Sequence, residues 1–139
     1  MTALWVGFGC RRGCSEQALH DLLAQILREQ LLQWADLRGM ASIDIKANEP
    51  GLRSLAKSLG LPFATYGVEV LAPYQDRLSH RSARSFAATG CQGVAESAAL
   101  AMAEDSTACP SQLLVKRRYT AQATLAIAVA QDQAPCTLL

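Results

Sequence analysis

The chain has 139 residues, half of them apolar, and a formal net charge of +1 at pH 7. That length supports one sizeable core, and the balance of apolar and charged residues excludes a disordered chain and a broad nucleic-acid-binding surface. No apolar stretch approaches the ~18 residues that cross a bilayer and no signal peptide precedes the first apolar run, so a cytoplasmic protein without membrane contact is expected.

Basic residues are local rather than general: Arg11 and Arg12, then Arg77, Arg81 and Arg84, then Lys116, Arg117 and Arg118. The five cysteines are an odd number without a Cys-x-x-Cys pair, and with only two histidines they are poor zinc-site arithmetic. Reduced thiols, no bound metal and no cofactor are the expectation.

In chain order, Ala3-Leu4-Trp5-Val6 reads as a strand running into Gly7-Phe8-Gly9-Cys10-Arg11-Arg12-Gly13. Ser15 is suited to cap the helix that follows, and Glu16 puts negative charge in its first turn, where the helix dipole favours it. Strand, glycine-rich turn, helix is either a tight βα turn with solvated arginines or an anion site. In the second reading the helix N–H groups and the guanidinium forks of Arg11 and Arg12 meet carboxylate or phosphate oxygens.

Apolar residues from Ala18 to Leu31 then recur at i, i+3, i+4, predicting a helix over 15–32, with residues 34–39 closing it. His20 falls outside the apolar stripe and reads as a solvated helix residue. Residues 40–45 read as a second strand, ending in the turn Lys46-Ala47-Asn48-Glu49-Pro50-Gly51. Pro50 suits a helix start and Gly60 a helix stop, giving a short helix over 52–59. Residues 61–66 form a third, edge strand because of Pro62, and a short helical segment follows at 68–71.

Over 75–92 the chain turns polar and basic; if its first part is helical, Arg77, Arg81 and Arg84 share one face, otherwise the stretch is a solvated loop. Residues 93–103 read as a helix of small residues. Residues 113–119 and 123–130 read as an antiparallel hairpin whose second strand is a continuous buried run. Residues 131–139 read as a flexible tail. The β-α-β-α-β order predicts an α/β fold, a three-layer α/β/α sandwich with a mainly parallel sheet of about five strands and an antiparallel edge hairpin, in a single domain over 1–139.

Ligands of open α/β sheets bind at the carboxyl ends of the strands. The turns after Phe8 and Ile45 belong there, so Asp44, Lys46, Asn48 and Glu49 gather beside Arg11 and Arg12. A carboxylate among them could move protons, or Asp44 could simply brace Lys46. A nucleotide reading is weaker: Gly7-x-Gly9-x-x-x-Gly13 is one residue longer than the dinucleotide fingerprint, and no P-loop occurs. For nucleophilic catalysis, Cys10 and Cys14 lack a neighbouring histidine, unless the fold brings His80 close.

Four segments together resemble a known family. Gly7–Gly13 with Ser15, then Ile43-Asp44-Ile45-Lys46-Ala47-Asn48-Glu49-Pro50-Gly51-Leu52, then Gly93-Val94-Ala95-Glu96-Ser97-Ala98-Ala99-Leu100, and the closing hairpin at 113–116 and 124–128 are similar to the CobE / CbiG C-terminal domain of cobalamin biosynthesis. Cys14 departs from the small or hydroxyl residue usual there, and Lys116-Arg117-Arg118 lacks the family's proline and its milder Gln-Lys pair.

The resemblance implies a stand-alone protein of the cobalamin pathway that binds, delivers or rearranges a precorrin through its carboxylates, alongside other enzymes of that pathway. It implies ligand contacts from Gly9, Cys10, Arg11, Arg12, Gly13, Ser15, Lys46, Glu96, Ser97 and Lys116, with the 75–92 segment as a lid. Phe8, Tyr66 and Tyr119 are candidates to meet the ring face. In CbiG the domain belongs to a larger enzyme that opens a precorrin lactone. The alternative is therefore a hydrolase or lyase with Asp44 or Glu49 as acid/base, and a nucleotide-binding domain comes third.

Overall fold

The computed structural model describes residues 2–79 and 81–130. His80 and the expected tail at 131–139, with Cys136, lie outside the described residues. Strand β1 (Leu4–Cys10) carries Leu4, Val6 and Phe8 on one face and Trp5 and Gly7 on the other, the period-2 alternation of a strand covered on both sides. Helix α1 (Glu16–Glu29) starts at Ser15, whose Oγ accepts a hydrogen bond from the Ala18 amide at 3.1 Å. It buries Leu19, Leu22, Leu23, Ile26 and Leu27, each worth roughly 1.5–3 kcal/mol on full burial. The helix stops short of residue 32 because Leu31 adopts a left-handed φ of 57° and is fully outside the stripe.

Strand β2 (Leu37–Ile43) starts three residues earlier than the sequence suggests: Gly39, read as a turn residue, lies inside it. There the missing side chain admits the Met102 thioether from across the sheet. The expected strand end at Asp44 and Ile45 is instead a 3-10 turn, Asp44–Lys46. Helix α2 (Pro50–Leu59) begins with Pro50 and ends on Gly60 at φ 69°, followed by β3 (Phe63–Tyr66) and the one-turn α3 (Val68–Leu71).

The 75–84 stretch is not one helix. A 3-10 segment ends at Arg77, Leu78 is extended, and α4 (Ala83–Thr89) starts afresh on Ser82. Arg77, Arg81 and Arg84 therefore do not lie on one continuous helix. Helix α5 (Val94–Thr107) and the hairpin β4 (Ser111–Tyr119) and β5 (Ala123–Ala130) complete the chain.

The strand order is β3-β2-β1-β5-β4. Pairings β3/β2 and β2/β1 are parallel, whereas β1/β5 and β5/β4 are antiparallel. The sandwich and the edge hairpin stand as expected, but the sheet is evenly mixed rather than mainly parallel, because β5 inserts between β1 and β4. Helices α1 and α2 pack on one face; α5 lies on the other. The α5 face is built of small residues, Ala41 and Ala128 opposite Ala98 and Ala99, and a Cβ at Gly7 would run into the Ala95 carbonyl. Helix α5 thus lies close against the sheet, and its first turn comes to the carboxyl end of β1.

Candidate functional site

At that end a cleft of about 470 Å³ opens between the turn after β1, the turn after β2, the hairpin turn, α4 and the start of α5. Gly9, Cys10, Arg11 and Arg12 line it from the first turn, and Ile43, Ile45 and Lys46 from the second. Ser82, Ser85, Ala88 and Thr89 come from around α4, Gly93, Val94 and Ala95 from α5, and Arg117 and residues 120–124 from the hairpin. The lining carries four cationic side chains and not one Asp or Glu among the described residues.

The first turn is held from two sides. The Arg11 amide donates to the Gln122 carbonyl at 2.9 Å, fixing the turn to the hairpin. The Gly13 amide, at a φ of 79°, donates to Glu49 Oε2 at 2.8 Å. Glu49 is buried, and its Oε1 lies 3.8 Å from Lys46 Nζ. The α1 end of the first turn, which the sequence offers as an anion site, is thus already occupied by a carboxylate of the chain itself. Lys46 pairs with Glu49 and not with Asp44, so the Asp44 brace does not form. Asp44 is exposed in its 3-10 turn and does not line the cleft. Both Glu49 oxygens are thus engaged, and Asp44 lies outside the lining.

Arg11 and Arg12 are exposed at the cleft, and neither guanidinium has an ion-pair partner among the described residues. Cys10 faces the cleft as a free thiol. Burial pushes it up to about 12, Lys46 only partly opposing this while Cys14 and Glu49 add to it. Burial, followed by the Glu49 charge, raises Cys14 as well. Both are therefore poor nucleophiles. Ser15 is used as the α1 cap, and Gly13 is set back by its bond to Glu49; neither lines the cleft.

Glu96, Ser97 and Lys116 also fall outside the lining. Ser97 is fully buried, its hydroxyl donating to the Gly93 carbonyl at 2.6 Å. Glu96, 1% exposed, accepts from the Ser79 amide at 2.7 Å, from the Ser79 hydroxyl, and from the Arg117 amide at 2.8 Å. Lys116 is exposed, and its neighbour Arg117 enters the cleft instead. Of the aromatic candidates, Phe8 is wholly core and Tyr66 packs beneath α5. Tyr119 is exposed, with the Arg117 guanidinium 5.1 Å above its ring.

The 75–92 segment forms one wall of the cleft and is anchored at its base. Arg77 Nη1 lies 3.0 Å from Glu104 Oε2, which also accepts from Ser111, while Tyr74 donates to Glu104 Oε1 at 2.8 Å. Burial works to raise the Glu104 carboxyl, but the bonds from Arg77, Tyr74 and Ser111 outweigh it and hold the group below its ordinary value.

Comparison with known proteins places the chain as a whole. The family described as cobalamin synthesis G C-terminus matches residues 4–128. The chain belongs to that family. Protein CobE of Sinorhizobium sp is 35% identical over 125 residues, covering 90% of this chain and 79% of that one. A crystal structure of CobE, a protein from the cobalamin (vitamin B12) biosynthetic pathway, superposes with a TM-score of 0.88 at 43% identity, covering 92% of this chain and 90% of that one. The cobalt-precorrin-5A hydrolase of Salmonella typhimurium is 38% identical over 69 residues, half of this chain but 20% of the hydrolase. Within the family, then, the chain is similar to CobE over most of its length and to the hydrolase over a part. Among the described residues no helix is long and apolar enough to cross a membrane.

Proposed function

We propose that this cleft binds a corrin-ring intermediate of cobalamin synthesis, a precorrin, by the carboxylates at its edge, and passes it on to other enzymes of the pathway. The observation that carries the reading is the composition of the cleft: Arg11, Arg12, Lys46 and Arg117 around Ile43, Ile45, Val94 and Ala95, with no acid among the described lining residues. A precorrin is a large, partly apolar ring fringed with acetate and propionate groups. Its edge needs directed cations and its face an apolar surface. The cleft is open to solvent and takes such a ring by one side. Membership of a cobalamin-synthesis family supports the ligand class, and four cations with no Asp or Glu among the described lining residues support binding and delivery.

The test is titration with cobyrinic acid, a corrin with free side-chain carboxylates, and with its methyl ester, followed by the visible spectrum. The acid binds and the ester binds at least about tenfold more weakly. A charge-assisted hydrogen bond is worth roughly 1.5–3 kcal/mol, so Arg11→Ala, Arg12→Ala or Arg117→Ala each weakens the acid by about tenfold or more. Arg→Lys recovers little, since the fork is lost with the charge retained. Equal binding of acid and ester, or near-native affinity in all three alanine variants, overturns the reading.

A further inference from the structure

We infer that Glu96 is a positioning residue: its buried carboxylate holds a bulge in β4 that turns Arg117 into the cleft, and the same carboxylate anchors the 75–92 wall through Ser79. The inference rests on the cleft reading above, and it assigns to Glu96 a task other than touching the ligand.

The argument begins with the register of the hairpin. Val115 lies opposite Ile127, and Arg118 lies opposite Leu125. Three steps along β4 therefore match two along β5, and Lys116 and Arg117 share the place opposite Ala126, a β-bulge. Leu125, Ile127 and Val115 all face the α1 side of the sheet. Strict alternation from Val115 would put Arg117 on that side too. The extra residue reverses the parity: Arg118 takes the α1 side, where its guanidinium lies 2.8 Å from Glu29, and Arg117 turns to the α5 side and the cleft.

A bulge leaves a backbone N–H without a ladder partner, which costs free energy unless something accepts it. Here that N–H is the Arg117 amide, and Glu96 Oε2 accepts it at 2.8 Å. The other donors to Glu96 are the amide and hydroxyl of Ser79. One carboxylate, 1% exposed in the first turn of α5, thus joins the cation, the wall and the helix that together form the cleft. Its acceptor-only character matters. In Glu96→Gln an NH₂ must oppose either the Ser79 amide or the Arg117 amide, a donor against a donor.

The sign of the effect separates this role from simple electrostatics. Removing a negative charge near an anion site should tighten anion binding, whereas loss of Arg117 placement weakens it. The expected results are that Glu96→Gln weakens cobyrinic acid about tenfold, as Arg117→Ala does, and that the double variant is no weaker than Arg117→Ala by more than about twofold. Ser79→Ala takes the hydroxyl from the oxygen that also accepts the Arg117 amide but leaves that acceptor in place, so it lowers thermal stability and costs less affinity than Glu96→Gln. Multiplying losses in the double variant, or native or tighter affinity in Glu96→Gln, overturns the proposal.

A second readout needs no ligand. Arg117 Nε is buried, so its ¹⁵Nε–H NMR signal is expected to stand apart from those of solvated arginines in the wild type. It moves to the position of solvated arginines in Glu96→Gln but not in Ser79→Ala. An unmoved signal in Glu96→Gln overturns the positioning role. A moved signal in a protein whose wild type ignores cobyrinic acid upholds that role and refutes the ligand reading alone. Should Glu96→Gln fail to fold, Glu96→Asp replaces it with the same expectations, its oxygens drawn back by one methylene from Arg117.

Discussion

Replacing Glu49 separates a structural carboxylate from a chemical one. Its Oε2 accepts from the Gly13 amide at 2.8 Å, and its Oε1 lies 3.8 Å from a Lys46 ammonium that is 17% exposed. A hydrogen bond to a charged group contributes roughly 1.5–3 kcal/mol. The lysine pair, longer and partly solvated, adds at most about 1 kcal/mol. Glu49→Ala is therefore expected to lose about 1.5–4 kcal/mol. Glu49→Gln keeps a neutral amide oxygen for Gly13 and loses only about 1–2 kcal/mol. For a chain of this size each kcal/mol is worth about 3–4 °C in midpoint, so the alanine variant should melt about 5–16 °C lower. Urea unfolding at unchanged m-value, with the two variants ranked Ala below Gln below wild type, is the assay. Both variants within about 0.5 kcal/mol of wild type would refute the tie. Loss of a turnover reaction in Glu49→Gln at unchanged stability would restore Glu49 as an acid/base.

Two further outcomes follow from the titrating groups. With its thiol pushed up to about 12, Cys10 in a Cys136→Ser background should react with iodoacetamide at mildly alkaline pH about a hundredfold more slowly than free cysteine, the scarcity of thiolate outweighing its greater nucleophilicity; a rate within fivefold of free cysteine contradicts this. Glu104 is held below its ordinary value in the fold, so its stabilisation is complete above that value and is lost as pH falls through the lowered one. The difference in urea midpoint between wild type and Glu104→Gln should then be largest near neutrality and shrink as pH falls below the ordinary carboxylate range and through the lowered value; a constant difference would show that Glu104 stabilises by packing alone.

The legibility of the sequence differs by element for physical reasons. Helices α1 and α2 announce themselves because their stripes, the Ser15 cap, Pro50 and Gly60 are local signals, and each has its expected role. Strand β5 is equally plain from its apolar run. Two boundaries are hidden, for different causes. Gly39 looks like punctuation, but serves to let Met102 pack against β2. Leu31 has no local mark of its left-handed φ of 57°. The pairing of β5 with β1, which makes the sheet mixed, depends on two strands more than a hundred residues apart and has no local signature.

The site shows the same division more sharply. Arg11, Arg12, Cys10 and Lys46 reach the cleft because the βα topology alone places both turns at one edge of the sheet. Glycine spacing and a helix cap also advertise an anion site at α1, but what fills it is Glu49, thirty-six residues on. With that helix end neutralised from within, cationic capacity on the opposite wall has to come from elsewhere, and it comes from Arg117. Counting alternate residues from Val115 assigns Arg117 to the α1 side, so only the bulge reveals it. The bulge in turn depends on Glu96, a carboxylate whose place in a helix of small residues gives no hint that it caps a strand. Glu49, which the sequence offers as an acid/base, and Glu96, which it offers as a ligand contact, both hold backbone amides, and the arginines are the groups that face outward.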